Sequence, residues 1–474
     1  MVRRFLRGLA RVLAAFVALL VVAYVVVTIV GRQALTRELE RVKASGAPVS
    51  WDEVIPPPVP DDQNAALLYE KAFAALALAT RVPRPRYPPY PHPSSGESEQ
   101  RKALSEYLSA PTREERKALE KGMRKVLADN APALSYARQA AKRPECRFDR
   151  DWSDPVAMTM PEYARFQTLS KLACADGLVR SDLGDQSGAF STWSLNLSLL
   201  KYLGPEPTLL GQLTRYAILA VATVPLSEIV QGGGLSPEEC RRVDGMLRQL
   251  DLENDFVKGL EAERTVSLWM WRRYRETPKS LAQMAGSPAS SYSPRERSPI
   301  SRFFLWLGCR AVGTLDDAAL LRYWDRQMAL LRRPYYQNPE DFTDRLREEI
   351  PRCALLTRMH QPVFMRARTA RDKGLAHAGL MRIGLGLATY RTHFGRYPDA
   401  LDELRKALEW EVPEDPFSGG DFIYRRAGNG CLLYSLGPDL DDDGGTDLRV
   451  TRVARVGKPP RSGIDGDIVW RMER

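Results

Sequence analysis

Between Val12 and Val30 the chain runs for 19 residues without a charge, with Arg11 before the run and Arg32 just after it. At ~1.5 Å per helical residue this covers about 28 Å, enough for the ~30 Å hydrocarbon core of a bilayer. A cleavable signal peptide has an apolar core of about 7–15 residues and a small-x-small cleavage site. Neither is found here. The sequence predicts an uncleaved, single-span anchor at 12–30 behind a basic flank at 1–11. Charge does not decide its orientation: Arg3, Arg4, Arg7 and Arg11 precede the run, and Arg32, Arg37, Arg41 and Lys43 follow it. The size of the part that follows favours its lying outside the cytoplasm, with the protein in the inner (cytoplasmic) membrane.

That anchor region also accounts for most of the charge. The formal net charge of the 474 residues is +10, of which the first fifty residues supply +6. The remaining +4 is spread thinly, so a nucleic-acid footprint is not supported. Beyond the anchor, 31–62 reads as a juxtamembrane helix followed by a stiff linker, Gly46-Ala47-Pro48 through Pro56-Pro57-Pro58-Val59-Pro60.

From 63 to 361 the expectation is one large all-α domain of helical hairpins, with flexible loops at 81–98 and 286–299. Tyr163, Phe166, Leu169, Leu172 and Leu178 share one helical face. Phe190 to Leu203 reads as a second helix. Leu209 to Val230 is nearly all apolar, but Gln212, Arg215, Glu228 and Pro225 argue for a buried core helix rather than a second span. Ser236-Pro237-Glu238-Glu239 is a helix start, with a capping hydroxyl, proline at the first position and acids in the first turn. Stacking as in helical-repeat proteins is compatible with this pattern, although no fixed period is found.

The last segment, 362–474, changes character: a long helix leads into a small module that starts inside that helix near Leu380. A helix at Leu380–His393 stops at Gly395-Arg396-Tyr397-Pro398, since glycine accepts the left-handed conformation and proline cannot continue a helix. A short helix is expected at Asp399–Leu408. Strands follow at Phe422–Arg425 and Leu432–Leu436 around a Gly428-Asn429-Gly430 turn, and Gly466-Asp467-Ile468-Val469-Trp470 ends the module. An acidic loop runs from Gly437 to Gly445.

In order and spacing, Tyr390…Gly395-Arg396-Tyr397-Pro398, Pro413…Asp415-Pro416, Tyr434-Ser435-Leu436-Gly437-Pro438-Asp439, Gly444-Gly445 and Asp467-Ile468-Val469-Trp470 resemble the globular domain of the type II secretion major pseudopilins. The likeness covers residues 380–470 alone. It implies a small α+β module with an antiparallel sheet, and a calcium ion held in the acidic loop by carboxylates and backbone carbonyls. The anchor departs from that family. The nearest glycine, Gly8, is separated from the apolar run by three residues, and the run holds no glutamate, so processing as a pilus subunit is not expected.

Within the acidic loop, Asp439, Asp441, Asp443 and Gly444 form D-x-D-x-D-G, the first half of a calcium-loop pattern: alternate carboxylates converge on one hard cation and glycine permits the sharp turn. Position twelve is Val450, so the loop is not an EF-hand. Asp447, Asp465 and Asp467 are the candidates to complete the shell. The plain alternative is a solvated acidic turn.

Other chemistry finds little support. Cys146, Cys174, Cys240, Cys309, Cys353 and Cys431 stand far apart, and no two of the four histidines have a metal-ligand spacing. Glu261 and Glu263 beside Trp269, Trp271 and Tyr274 suggest a sugar or peptide cleft, but residues two apart face different ways on a helix. Arg366, Arg368, Arg371 and Lys373 read as a solvated basic face. No catalytic set stands out. The function expected is a non-catalytic structural or assembly role at the cell envelope, with unnamed protein partners. The alternative is an envelope hydrolase with its site in a cleft of the helical domain.

Overall fold

The computed structural model describes residues 2–78, 99–276, 306–337, 343–359, 364–446 and 466–472, apart from positions 111, 307, 310, 311 and 353. The loops expected at 81–98 and 286–299 lie outside these residues. The chain is mainly helical, with a small antiparallel sheet near its C-terminal end.

The first helix, α1 (Val2–Ala44), is unbroken. It is long and apolar enough to cross a membrane, and its apolar window is 0% buried. Its last turns dock on the body, where Val42 is buried. The linker that follows is not a free spacer. The Trp51 ring packs 5.8 Å from Trp152, its Nε1 donates to the Trp152 carbonyl at 2.8 Å, and Arg264 donates to the Pro48 carbonyl at 3.0 Å.

The helices then run α2 (Ala66–Ala74), α3 (Glu99–Ser109), α4 (Arg113–Asp129), α5 (Ala131–Ala140), α6 (Pro161–Asp182), α7 (Gln186–Trp193), α8 (Leu195–Leu203) and α9 (Leu209–Gln231). Neighbours in this series pack on one another, α3 on α4 and α6 on α7, while α2 packs on α5, past α3 and α4 in the chain. The single helix expected over 190–203 is two. Asn196 Nδ2 donates to the Trp193 carbonyl at 2.8 Å, drawing that acceptor away from the helical ladder at Ser194.

The second apolar helix, α9, is a core helix: 67% of its apolar window is buried. Pro225 lies inside it and cannot donate to the carbonyl four residues back, Val221. The Cys174 thiol points at that carbonyl from 3.8 Å, and Trp193 Nε1 donates to the next one, Ala222, at 2.9 Å. Side chains of α6 and α7 thus bond where the proline breaks the ladder.

Beyond it come α10 (Pro237–Arg248), opened by the Ser236/Glu239 capping box, then α11 (Leu252–Glu276), α12 (Gly313–Leu331), α13 (Thr343–Glu348), α14 (Leu355–Met359), α15 (Met365–Phe394) and α16 (Leu401–Leu408). The long helix expected at the head of 362–474 runs from Met365 to Phe394. The basic stretch in its first turns, expected to be solvated, is not a solvated face. Arg368 and Arg371 are buried, and their guanidinium groups donate to carbonyls at the end of α12: Leu331 at 2.7 Å, Arg333 at 3.1 Å and Pro334 at 2.7 Å. A helix end leaves its last carbonyls without partners and carries partial negative charge, and these two arginines answer both.

Three strands, β1 (Ile423–Ala427), β2 (Gly430–Ser435) and β3 (Ile468–Met472), pair antiparallel in that order, with Leu433 opposite Tyr424 on one side and Trp470 on the other. The β1–β2 loop is Gly428-Asn429. Its left-handed residue is the glycine in first position, with φ 57°, the arrangement of a type II′ turn rather than an Asn-Gly turn. The sheet lies on α15 and α9, α15 packs along α9, and one buried apolar cluster joins helices and sheet from Val42 to Met472.

Candidate functional site

The acidic loop leaves β2 through Gly437 and Pro438, whose carbonyl accepts from the Tyr335 hydroxyl at 3.0 Å. Asp415, almost fully buried, fixes the strand end by accepting from Ser435 Oγ at 2.7 Å and from the Phe417 amide at 3.0 Å. Leu440 adopts a left-handed φ of 65°, which reverses the chain between Asp439 and Asp441. Asp439 Oδ2 accepts from the Gly466 amide and Asp467 Oδ2 from the Gly445 amide, each at 2.8 Å. Two carboxylates thus stitch the loop to the tail that enters β3.

Of the expected ligands, Asp439 and Asp467 are the two tied to this junction, and Asp442 is not one of the expected set. Asp442 is committed elsewhere: Oδ1 accepts from the Tyr434 hydroxyl at 2.7 Å and Oδ2 from Arg425 at 3.3 Å. Asp441 and Asp443 are exposed, and Asp447 and Asp465 lie outside the described residues. Among the described residues no three His, Cys, Asp or Glu side chains gather as a metal site. Asp467 differs from the rest. It is fully buried, and its Oδ1 has no hydrogen-bond partner. Burial, assisted by the charges of Asp443 and Asp442 and opposed by the amides of Gly445 and Thr446, pushes its carboxyl up to about 6. An orphaned carboxylate oxygen beside other carboxylates is what a hard cation would satisfy.

A second arrangement lies in the helical part. Arg150, with a side chain 3% exposed, donates Nε to Glu162 Oε1 at 2.6 Å and forks onto Glu206 at 2.8 and 2.9 Å. Glu206 also accepts from the Tyr163 hydroxyl at 2.7 Å. This clamp ties the start of α6 to the turn between α8 and α9. One arginine faces two carboxylates, and burial raises the Glu162 carboxyl even against Arg150. An open cleft of about 330 Å³ lies beside it, walled by Phe73, Phe148, Arg165 and Glu162. Asp151 and Asp154, on its rim, accept from backbone amides of their own loop. Glu206 does not line the cleft, so the two clamped carboxylates do not present an acid/base pair to it. Sequence reasoning missed this clamp. Its members are 12 and 56 residues apart, and the one trace is the alternation Arg147-Phe148, Arg150, Trp152.

The acids and aromatics at 261–275, not expected to form a cooperating pair, are dispersed. Glu261 approaches Arg332 at 3.6 Å, Trp271 is a core residue, and Trp269 lines a separate cleft of about 320 Å³ with Trp51, Arg272 and Arg273. Glu263 is pushed up to about 7 by burial alone. The five described cysteines, Cys146, Cys174, Cys240, Cys309 and Cys431, are unpaired.

No protein-family model matches the chain, and no curated protein or solved structure is significantly similar to it. The likeness of its last part to pseudopilins therefore rests on the landmark residues alone.

Proposed function

We propose that the chain is a single-span protein of the inner membrane whose body, outside the cytoplasm, is a non-catalytic scaffold for other envelope proteins. One observation carries this reading. A single helix runs from an exposed apolar segment directly into the body, which suits a molecule that must hold a fixed position on a membrane. The C-terminal α+β module, pseudopilin-like in its landmarks, is the part offered for assembly, and its acidic loop binds calcium. Asp467 and Asp443 would hold the ion with Asp439 beside them, the orphaned Oδ1 of Asp467 being the feature that favours it.

The test has two arms. A reporter fused after Arg474 should be active only outside the cytoplasm, and the protein should resist alkaline extraction from membranes. The detergent-solubilised chain should retain specific envelope proteins in a pull-down while turning over nothing in a broad hydrolase panel. Turnover that is lost with Glu162→Gln would replace the scaffold reading with a hydrolase centred on the α6 cleft. The mature N-terminus should carry no methylated new start within the first dozen residues.

A further inference from the structure

The helix that leaves the apolar run is locked to α12 in parallel register. Gly31 faces Thr314, Glu38 accepts from Arg322 at 3.1 Å, and Arg41 pairs with Asp325, a constant offset of about 284 residues. The approach at Gly31 is close: a Cβ there would stand 2.2 Å from Thr314 Oγ1. This fixes the level of the body along the helix axis. Gly31 immediately follows the apolar run, whose ~28 Å length nearly fills a bilayer core. Val27 and Thr28, still inside the run, are already partly covered. No stalk separates the body from the hydrocarbon edge.

What stands at that level can be named. Arg275 lies against Gly313, with Nε 2.9 Å from where a Cβ would be, and forks onto Asp317 at 2.7 Å through both carboxylate oxygens. Trp306, half-buried, donates Nε1 to the Arg275 carbonyl at 2.9 Å. The C-terminal turn of α11 thus ends at the height of Gly31 and carries Arg272, Arg273, Tyr274 and Arg275. Arg272 and Arg273 have side chains 50% and 59% exposed. Their partners are weak ones: Asp317 at 3.8 Å from Arg272, and an exposed Glu276 beside Arg273. Tryptophan and tyrosine beside arginine, at the edge of an apolar slab, is the composition of a membrane interface.

We infer that the α11 end of the body is a second membrane contact, in which Arg272 and Arg273 bind anionic phospholipid headgroups of the leaflet that α1 leaves, with Trp306 and Tyr274 seated at the same depth. The inference rests on α1 spanning the bilayer. Headgroup phosphates replace the weak surface ion pairs of both arginines, and the register at Gly31 sets the depth.

The full chain in nanodiscs tests it, using a photoreactive phosphatidylglycerol with the reactive group on its head, beside one with the group deep in the acyl chain. The head probe should label 272–276 and the peptide holding Trp306. It should do so several-fold more in phosphatidylglycerol discs than when diluted into phosphatidylcholine. Arg272→Glu with Arg273→Glu should cut that labelling roughly fivefold or more per charge, and the corresponding lysine pair should keep it. Acyl-probe labelling of 12–30 should be the same in all variants. Head-probe labelling confined to residues flanking the apolar run, or equal in the glutamate and lysine variants, would overturn the second contact while leaving the span. Loss of acyl-probe labelling at 12–30 would overturn the span and the contact together.

Discussion

Gly384 of α15 lies directly beneath the indole of Trp470: a Cβ on the glycine would stand 2.2 Å from Cε2 and 2.3 Å from Cζ2. The ring belongs to β3 and the glycine to the long helix, so this notch is where sheet and helix meet. Two residues on, Gly386 seats the ring of Trp410 in the same way. Gly384→Ala is expected to cost about 1–3 kcal/mol, the usual price of overpacking a filled core. Combining it with Trp470→Phe should cost less than the sum of the two single changes, because the smaller ring makes room. Urea unfolding of the four proteins measures both numbers, and strict additivity would show that the two residues do not meet.

The Glu263 carboxyl of α11, pushed up to about 7 by burial, makes stability depend on pH. An unfolded glutamate titrates near 4.3, so between about pH 4 and 7 the folded state holds a proton that the unfolded state has lost. Stability from this group is therefore present at low pH and lost as pH rises through 7. Glu263→Gln removes the charge and keeps the shape. It should stabilise the protein at pH 8 on the order of 1–2 kcal/mol and make little difference at pH 5. An equal effect at both values would mean that the carboxyl is solvated.

Calcium at the acidic loop should act through mass action. With a dissociation constant in the ~0.1–1 mM range of extracellular sites, a free concentration about tenfold higher adds about 1 kcal/mol. Melting of the full chain in EDTA and in calcium reads this directly, because the core joins the module to the helices. Asp467→Asn and Asp443→Asn should each remove the increment. Identical melting with and without calcium would leave the loop as an acidic turn.

The Arg150 clamp predicts an asymmetry. Arg150→Met strands two buried carboxylates and should cost about 3–5 kcal/mol. Replacing Glu162 and Glu206 by leucine in the same protein should recover much of that loss, since the apolar set leaves no charge unpaired. A triple variant as unstable as Arg150→Met would show that the clamp holds the α6 cleft by geometry rather than by neutralisation.

Much of the last module could be read from the sequence because its signals are local. Gly395 takes the left-handed conformation that ends α15, and the Gly428–Gly430 turn lies between two apolar runs. The apolar run of α1 and the core character of α9 follow from composition in the same way. The burial of Arg368 and Arg371 could not be read, because a window of arginines looks alike whether it meets water or the carbonyls of a helix end; the difference lies in α12, more than thirty residues earlier. Arg150, Glu162 and Glu206 failed for the same reason. Each is an ordinary charged residue until folding brings the α8–α9 turn against α6. The acidic loop shows the converse. Its spacing promises convergence of Asp439, Asp441 and Asp443, but two of these are exposed, and only the burial of Asp467 distinguishes one carboxylate from its neighbours.

The unbroken course of α1 has a mechanical consequence. With Gly31, Glu38 and Arg41 gripped in step along α12, no joint lies between the exposed apolar end of that helix and the body. Whatever grasps the apolar end therefore steers the rest as a hand on a rudder post steers the blade. Leaning the helix axis swings the C-terminal sheet, joined to it through one core, through the same angle, and the lean of an embedded helix varies with the thickness of the bilayer around it.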